Sequence, residues 1–365
     1  MKSKLNHSRL AGSFLATSLL LATWGFGFTV QAQESYNLQF ASYIGNGAAQ
    51  SRAQEWWASE IEKRTNGRVK IEFFYRGSLL GARDMLQGVA DGRASMGYVA
   101  NAYYPAELPL SSVVGVPFVT SNAEAQMRTF QELYERNDAF RNEWQSKGLH
   151  VLFFNPLSEN IVGMRNKVKR LDELKGKSIR GLGYINQVLQ KIGANPVAIA
   201  AQEIYEGMMR KTIDGYSGFA FEVVTALKLQ EVAPYVFTTG TGNYVFAATP
   251  ITKSLWDGMP DDIKSIFNEV NREYMDKVTE FLAMTEVEVC KKIKSSGGEV
   301  YELPKEDIDK IRLLVGDTIS NQWIEETNKR GGDAKAFFAD YRKTLTKYEK
   351  EATYVSGVKR CADSK

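Results

Sequence analysis

Arg180 is the residue whose setting most directly suggests chemistry. It ends the short strand-like run Lys177-Ser178-Ile179-Arg180 and is followed at once by Gly181-Leu182-Gly183. A guanidinium held beside a flexible turn can grip a carboxylate through two parallel hydrogen bonds. A plain surface arginine is the alternative, but the C-terminal ends of strands are where open α/β sheets bind ligands. Aromatic side chains collect at the same kind of place. Tyr43, Tyr98, Tyr103, Tyr104, Phe154, Tyr184, Phe219 and Phe221 all fall at predicted strand ends or in the loops that follow. Any one of them reads as an ordinary core aromatic, whereas together they suggest a ligand wall.

Other chemistries find little support. Gly45-Asn46-Gly47-Ala48-Ala49-Gln50 and Gly181-Leu182-Gly183-Tyr184-Ile185-Asn186 imitate a dinucleotide fingerprint. Both lack the third glycine that lets helix and strand pack closely. Their free backbone N–H groups would still suit an anion, and a plain tight turn is equally open. The sequence has no Gly-x-Ser-x-Gly elbow, Walker loop, HExxH or CxxC. Of the two histidines, His7 and His150, only the second lies beyond the N-terminal segment. A histidine-based triad or metal site would have to use that one residue. The expectation is therefore a non-enzyme with no cofactor and no metal.

These residues need elements to position them, and strand-like and helix-like runs alternate. Tyr36 to Ser42, Val69 to Tyr75, Met96 to Val99, Val113 to Val119 and Val151 to Phe154 read as strands. Ala48 to Arg64 and Ala82 to Ala90 read as helices, as does Asn122 to Lys147 with a break near Asn137-Asp138. After a crossing segment, Leu157 to Arg165, a second series follows. Its strands are Lys177 to Arg180, Asn195 to Ile199, Ile213 to Tyr216 and Tyr244 to Thr249. Its helices are Ile185 to Ile192, Gln202 to Arg210 and a last one reaching about Val232. Such a succession implies mainly parallel sheets covered by helices. Asp261 to Ser296 contains no Gly or Pro and is closed by Gly297-Gly298. Unbroken, it would span about 54 Å, more than one small domain; a kinked hairpin is the other option.

Lys2, Lys4 and Arg9, an apolar stretch from Leu10 to Val30, and Val30-Gln31-Ala32 together read as a cleavable signal peptide over residues 1–32. No cysteine near residue 33 offers a lipid anchor, and no later run is long and apolar enough to cross a membrane. The chain carries 46 Lys plus Arg against 43 Asp plus Glu, and three of the bases lie in that segment. A neutral mature chain builds no long-range positive field, so nucleic acid is not an expected partner. The remaining length favours two domains. Cys290 and Cys361 form a disulfide or stay as two thiols; their spacing does not decide.

With these residues placed, the chain resembles the solute-binding proteins of tripartite ATP-independent periplasmic (TRAP) transporters. The resemblance rests on Glu62-Lys63-Arg64-Thr65-Asn66-Gly67-Arg68-Val69, Gly77-Ser78-Leu79-Leu80-Gly81 and Val116-Pro117-Phe118. It continues through Leu171-Asp172-Glu173-Leu174-Lys175-Gly176-Lys177-Ser178-Ile179-Arg180, then Gly193-Ala194-Asn195-Pro196-Val197, Glu203-Ile204-Tyr205 and Ile213-Asp214-Gly215. It implies a two-lobed α/β periplasmic-binding-protein-like fold with hinge strands and a long lobe-spanning helix. The lobes would comprise 33–156 with 246–284, and 157–245 with 285–365. It further implies a monomer, not itself membrane-embedded, that carries a small organic carboxylate to the TRAP permease subunits. A sensory protein presenting its ligand to a membrane receptor is the alternative, and a periplasmic hydrolase on the same scaffold is a more distant one. The resemblance puts the ligand carboxylate on Arg180, with Tyr43, Asn101, Gly218 and Phe219 lining the cleft. Tyr98, Tyr184, Asn155 and Arg165 complete the candidate set. There are departures from the pattern. The usual Arg-Val-Pro is here Arg180-Gly181-Leu182, and some members carry a further arginine where this chain has Ser158-Glu159-Asn160. Tyr43 and Asn101 replace the acidic and polar cleft positions of sugar-acid binders, which points to a less polar or aromatic carboxylate.

Overall fold

The computed structural model describes residues 34–364, so the expected signal peptide lies outside the described residues. The first strand shows why the alternation reads correctly: Leu38 and Phe40 are buried while Asn37 and Gln39 face out. Twelve strands are present among the described residues. They are β1 (Tyr36–Ala41), β2 (Val69–Phe74), β3 (Met96–Gly97), β4 (Val99–Ala100), β5 (Leu149–Asn155) and β6 (Val162–Met164). Then follow β7 (Ser178–Arg180), β8 (Asn195–Val197), β9 (Gly215–Tyr216), β10 (Tyr235–Thr238), β11 (Ala247–Thr252) and β12 (Glu299–Glu302).

They form two sheets, one per lobe. The first runs β2-β1-β3-β11-β4 with β5 on β11, and the second runs β12-β10-β6-β9-β7-β8. Pairing is parallel for β1 with β2 and β3, for β7 with β8 and β9, and for β10 with β12. The two antiparallel intruders, β6 and β11, are the strands entered after the chain crosses between sheets.

The long helix Asp261–Ser295 is unbroken, as the lack of Gly and Pro implies. Its Ile263, Phe267, Val270, Tyr274 and Val278 enter the first-sheet core, while Val289 and Ile293 enter a core of the second sheet. One helix thus supplies both lobes. The helical break is also where expected: Asn137 ends Ala123–Arg136 and its side chain accepts from Phe140 N at 3.0 Å to start Asp138–Gln145.

Some segments differ from the sequence expectation. Val113 to Val119 is no strand; Ser111–Gly115 is a 3-10 turn. The Glu143 carboxylate accepts from Leu110 N and Ser111 N at 2.5 and 2.9 Å, and Phe118 takes a positive φ of 64°. The helix expected up to Val232 is three short 3-10 turns, interrupted by Lys228 at φ 55°. The strand expected from Tyr244 begins only at Ala247. The C-terminal helices are shared between the cores of the two sheets. Ile311, Val315 and Ile319 pack with the second sheet, Trp323, Phe337, Tyr341 and Leu345 pack into the first-sheet core, and Val358 and Cys361 return to the second. The cysteine question resolves as a disulfide, Cys290–Cys361, which ties the tail to the long helix.

Candidate functional site

Arg180 ends β7, where its backbone lies between Val197 of β8 and Tyr216 of β9. That register aims its side chain along the loops that follow both neighbours. Nε donates to Ile199 O at 3.1 Å, and Nη1 donates to Ser217 O at 3.2 Å and Gly218 O at 2.7 Å. Nη2 has no partner among the described residues. The side chain is only 3% exposed, and no carboxylate among the described residues pairs with it. Burial pulls its pKa below the usual arginine value, partly opposed by the Tyr244 and Tyr103 hydroxyls. A desolvated cation held by neutral carbonyls is a setting in which an opposite charge is favoured.

The first lobe contributes tyrosines. Tyr43 follows β1 and meets Tyr98 and Tyr103 edge-on, with ring centroids 5.6 and 5.8 Å apart. Such T-shaped pairs are a favourable aromatic geometry. Burial pushes the Tyr43, Tyr98 and Tyr244 hydroxyls well above the ordinary tyrosine range, so all three are neutral donors. Tyr244 also feels Arg180, Glu222 and Tyr103, which links the arginine of one lobe to the tyrosines of the other. Tyr184 opens the helix Tyr184–Lys191 and packs against both the first-sheet core and the core beneath β7. Its hydroxyl donates to Glu326 at 3.2 Å.

The remaining candidates separate. Gly218 and Phe219 adjoin the arginine: Gly218 accepts from it, and Phe219 stacks edge-on against Tyr216 at 5.5 Å. Asn101 is 2% exposed, and its amide is spent on Ser111 O and Phe246 N, bracing the loop below Tyr98. Asn155 is fully buried and satisfied by Gln54, Tyr274, Ala247 O and Thr249. Both amides are occupied inside the protein. Arg165 is not brought to Arg180. It follows β6, which runs antiparallel to β9, so it emerges beside Asp214 at the opposite edge of the sheet and donates to Met208 O. His150 stacks flat on Trp256 at 4.5 Å, and burial pushes its pKa down to about 4. Among the described residues no cluster of His, Cys, Asp or Glu is arranged to hold a metal ion.

Sequence reading missed Tyr244, hidden inside an expected strand, and Glu222, hidden inside an expected helix. It also gave no role to Asn160, which lies in the crossing segment and touches residues 57 to 81 positions away. No local pattern signals such contacts.

A two-lobed α/β frame with one sheet to each lobe is the frame of a solute-binding protein. Residues 40–326 match the model of bacterial extracellular solute-binding protein family 7 (DctP), and the chain belongs to that family. It is 24% identical over 298 residues to the 2,3-diketo-L-gulonate-binding periplasmic protein YiaO of Escherichia coli, covering 81% of this chain and 88% of that protein. A TRAP periplasmic solute-binding protein from Desulfovibrio salexigens superposes with a TM-score of 0.76 at 26% identity, covering 88% of this chain and 99% of that one. A TRAP solute-binding protein from Rhodoferax ferrireducens, in complex with copurified benzoate, gives a TM-score of 0.78 at 19% identity, covering 87% and 100%. Among the described residues no helix is long and apolar enough to cross a membrane.

Proposed function

We propose that this protein captures a small organic acid between its lobes, with the ligand carboxylate on Arg180, and delivers it in the periplasm to the membrane subunits of a TRAP transporter. It acts as a monomer and leaves its ligand chemically unchanged. The observation that carries this reading is the burial of Arg180 with no acid beside it. An unpaired buried cation costs several kcal/mol, an expense that a bound anion offsets. Because Nε and Nη1 are engaged by carbonyls, the carboxylate meets Nη2 end-on. A bidentate grip requires one carbonyl contact to be released.

Core membership supports a division into 35–156, 246–284 and 320–351 for one lobe, and 157–245, 285–319 and 352–364 for the other. The wall opposite the arginine is built from the rings of Tyr43, Tyr98 and Tyr103, with Tyr244 between it and the arginine. This composition favours an aromatic monocarboxylate over a polyhydroxylated acid, and the benzoate found in the Rhodoferax protein is consistent with it. Titration calorimetry with benzoate, benzamide and a sugar acid tests the reading. Benzoate should bind, benzamide should not, and Arg180→Ala should cost about 2–5 kcal/mol of carboxylate affinity. Tight binding of the sugar acid alone would overturn the aromatic preference. Unchanged affinity in the Arg180 variant would overturn the site.

A further inference from the structure

The guanidinium of Arg180 is held by backbone carbonyls, so its direction depends on whatever holds those carbonyls. Ser217 O and Gly218 O belong to a turn after β9 that is itself unusual. Gly218 sits at φ +64°, and a Cβ there would come within 2.8 Å of Leu182 N. The turn presents two consecutive backbone N–H groups inward, and both end on one atom. Asn160 Oδ1 accepts from Gly218 N at 2.8 Å and from Phe219 N at 3.3 Å. The Ser217 hydroxyl lies 3.2 Å from both Oδ1 and Nδ2 of the same amide. Asn160 is 1% exposed, and its amide is fixed from behind by the crossing segment that returns to the first lobe. Nδ2 donates to Thr241 Oγ1 at 3.1 Å, and the backbone N donates to Gly242 O at 2.9 Å.

We propose that Asn160 is the positioning residue of the carboxylate site. Its amide gathers Ser217, Gly218 and Phe219 into the turn whose carbonyls aim Arg180, without itself touching the ligand. A hydrophobic side chain here would leave two buried N–H groups unpaired, and the turn would relax to find other acceptors. The carbonyls of Ser217 and Gly218 would then swing away from Nη1. Position 160 is also where the two crossing segments meet, since Asn160 contacts Thr241 and Gly242. The arginine is therefore referenced to the hinge rather than to its own strand alone. This inference rests on Arg180 being the carboxylate site.

The test begins without any ligand. Arginine side-chain NMR on the full chain follows the Nε–H signal of Arg180, assigned by its loss in Arg180→Ala. In Asn160→Ala its exchange with water should accelerate by about tenfold or more, the consequence of unpaired buried groups loosening the turn. Other arginine signals should stay in place. Benzoate affinity should fall by a similar factor, with no further fall when Asn160→Ala is added to Arg180→Lys. If Asn160→Ala does not fold, the isosteric Thr241→Val removes the anchor of Nδ2 and should accelerate Arg180 exchange to a smaller degree. An unchanged Arg180 signal in a folded variant at either position overturns the proposal. So does an additive loss of benzoate affinity in the double variant. Failure of benzoate to depend on Arg180 would instead overturn the ligand site and leave the NMR result standing by itself.

Discussion

Nη1 of Arg180 donates to the carbonyl oxygen of Gly218 at 2.7 Å, and Gly218 offers that oxygen from a left-handed backbone, φ +64°. Two ordinary needs converge in this contact. A buried cation needs acceptors, and a turn packed against Leu182 has no room for a side chain.

Gly218→Ala should therefore do two things at once. The added methyl meets Leu182 N, a backbone atom that cannot rotate away, and the positive φ is strained for alanine. Stability should fall by about 1–3 kcal/mol in denaturant unfolding. Carboxylate affinity should fall as well, because the relaxed turn withdraws one acceptor from Arg180. A variant with wild-type stability and wild-type affinity would show that the turn accommodates the methyl freely.

The disulfide gives a contrasting case. Cys290–Cys361 closes a loop with a sequence separation of 71 and joins the long helix to the C-terminal helix Gly357–Asp363. Constraining an unfolded loop of that length is worth about 4 kcal/mol on the chain-entropy account. The double variant Cys290→Ser with Cys361→Ser should lose about 2–5 kcal/mol of stability. Its affinity, measured well below melting, should be unchanged, because Arg180 is held by β7 and its neighbours. Loss of affinity in a folded double variant would show that the tail positions the site.

The parts of this molecule that were legible in the sequence are those governed by local rules. Asp261–Ser295 could be read because nothing in it breaks a helix. Asn137 could be read because a capping side chain both ends and begins a helix. The place of Arg180 at a strand end could be read because a short strand-like run stopped by glycines is a local sign. Val113 to Val119 misled because β-branched residues favour a strand, yet Glu143, some 30 residues away, holds the segment in a turn. The surroundings of Asn101 and Asn155 were not legible either. Each amide is held by partners that no local pattern announces. Asn160 was silent for the same reason. Long-range hydrogen bonding leaves no periodicity to read.

Acid titration offers a last prediction, centred on the hinge. Ser158 hydrogen-bonds two buried carboxylates, donating its N to Glu222 at 3.3 Å and its hydroxyl to Glu286 at 2.5 Å. Glu286 also receives Tyr354, Gly357 N and Arg360, and Arg52 binds the adjacent Thr285. Glu286 opposes the ionisation of Glu159, and Glu222 opposes that of Glu286. Burial pushes the Glu286 carboxyl up to about 7, with Glu222 adding to the rise and Arg360 opposing it. A carboxyl whose folded pKa is raised binds its proton more tightly in the folded state. Its contribution to stability is thus complete below about pH 4.5 and is lost as pH rises through about 7. The lost contribution is worth roughly 3 kcal/mol. His150 works in the opposite sense, since its depressed pKa makes the fold weaker as pH falls from about 6.5 toward 4. Comparing wild type with Glu286→Gln cancels the histidine. The stability difference between the two should shift in favour of wild type as pH falls from 7.5 to 5, read from melting curves at each pH. A difference that does not vary with pH would show that Glu286 stays ionised in the folded hinge, with Arg360 as sufficient counterion.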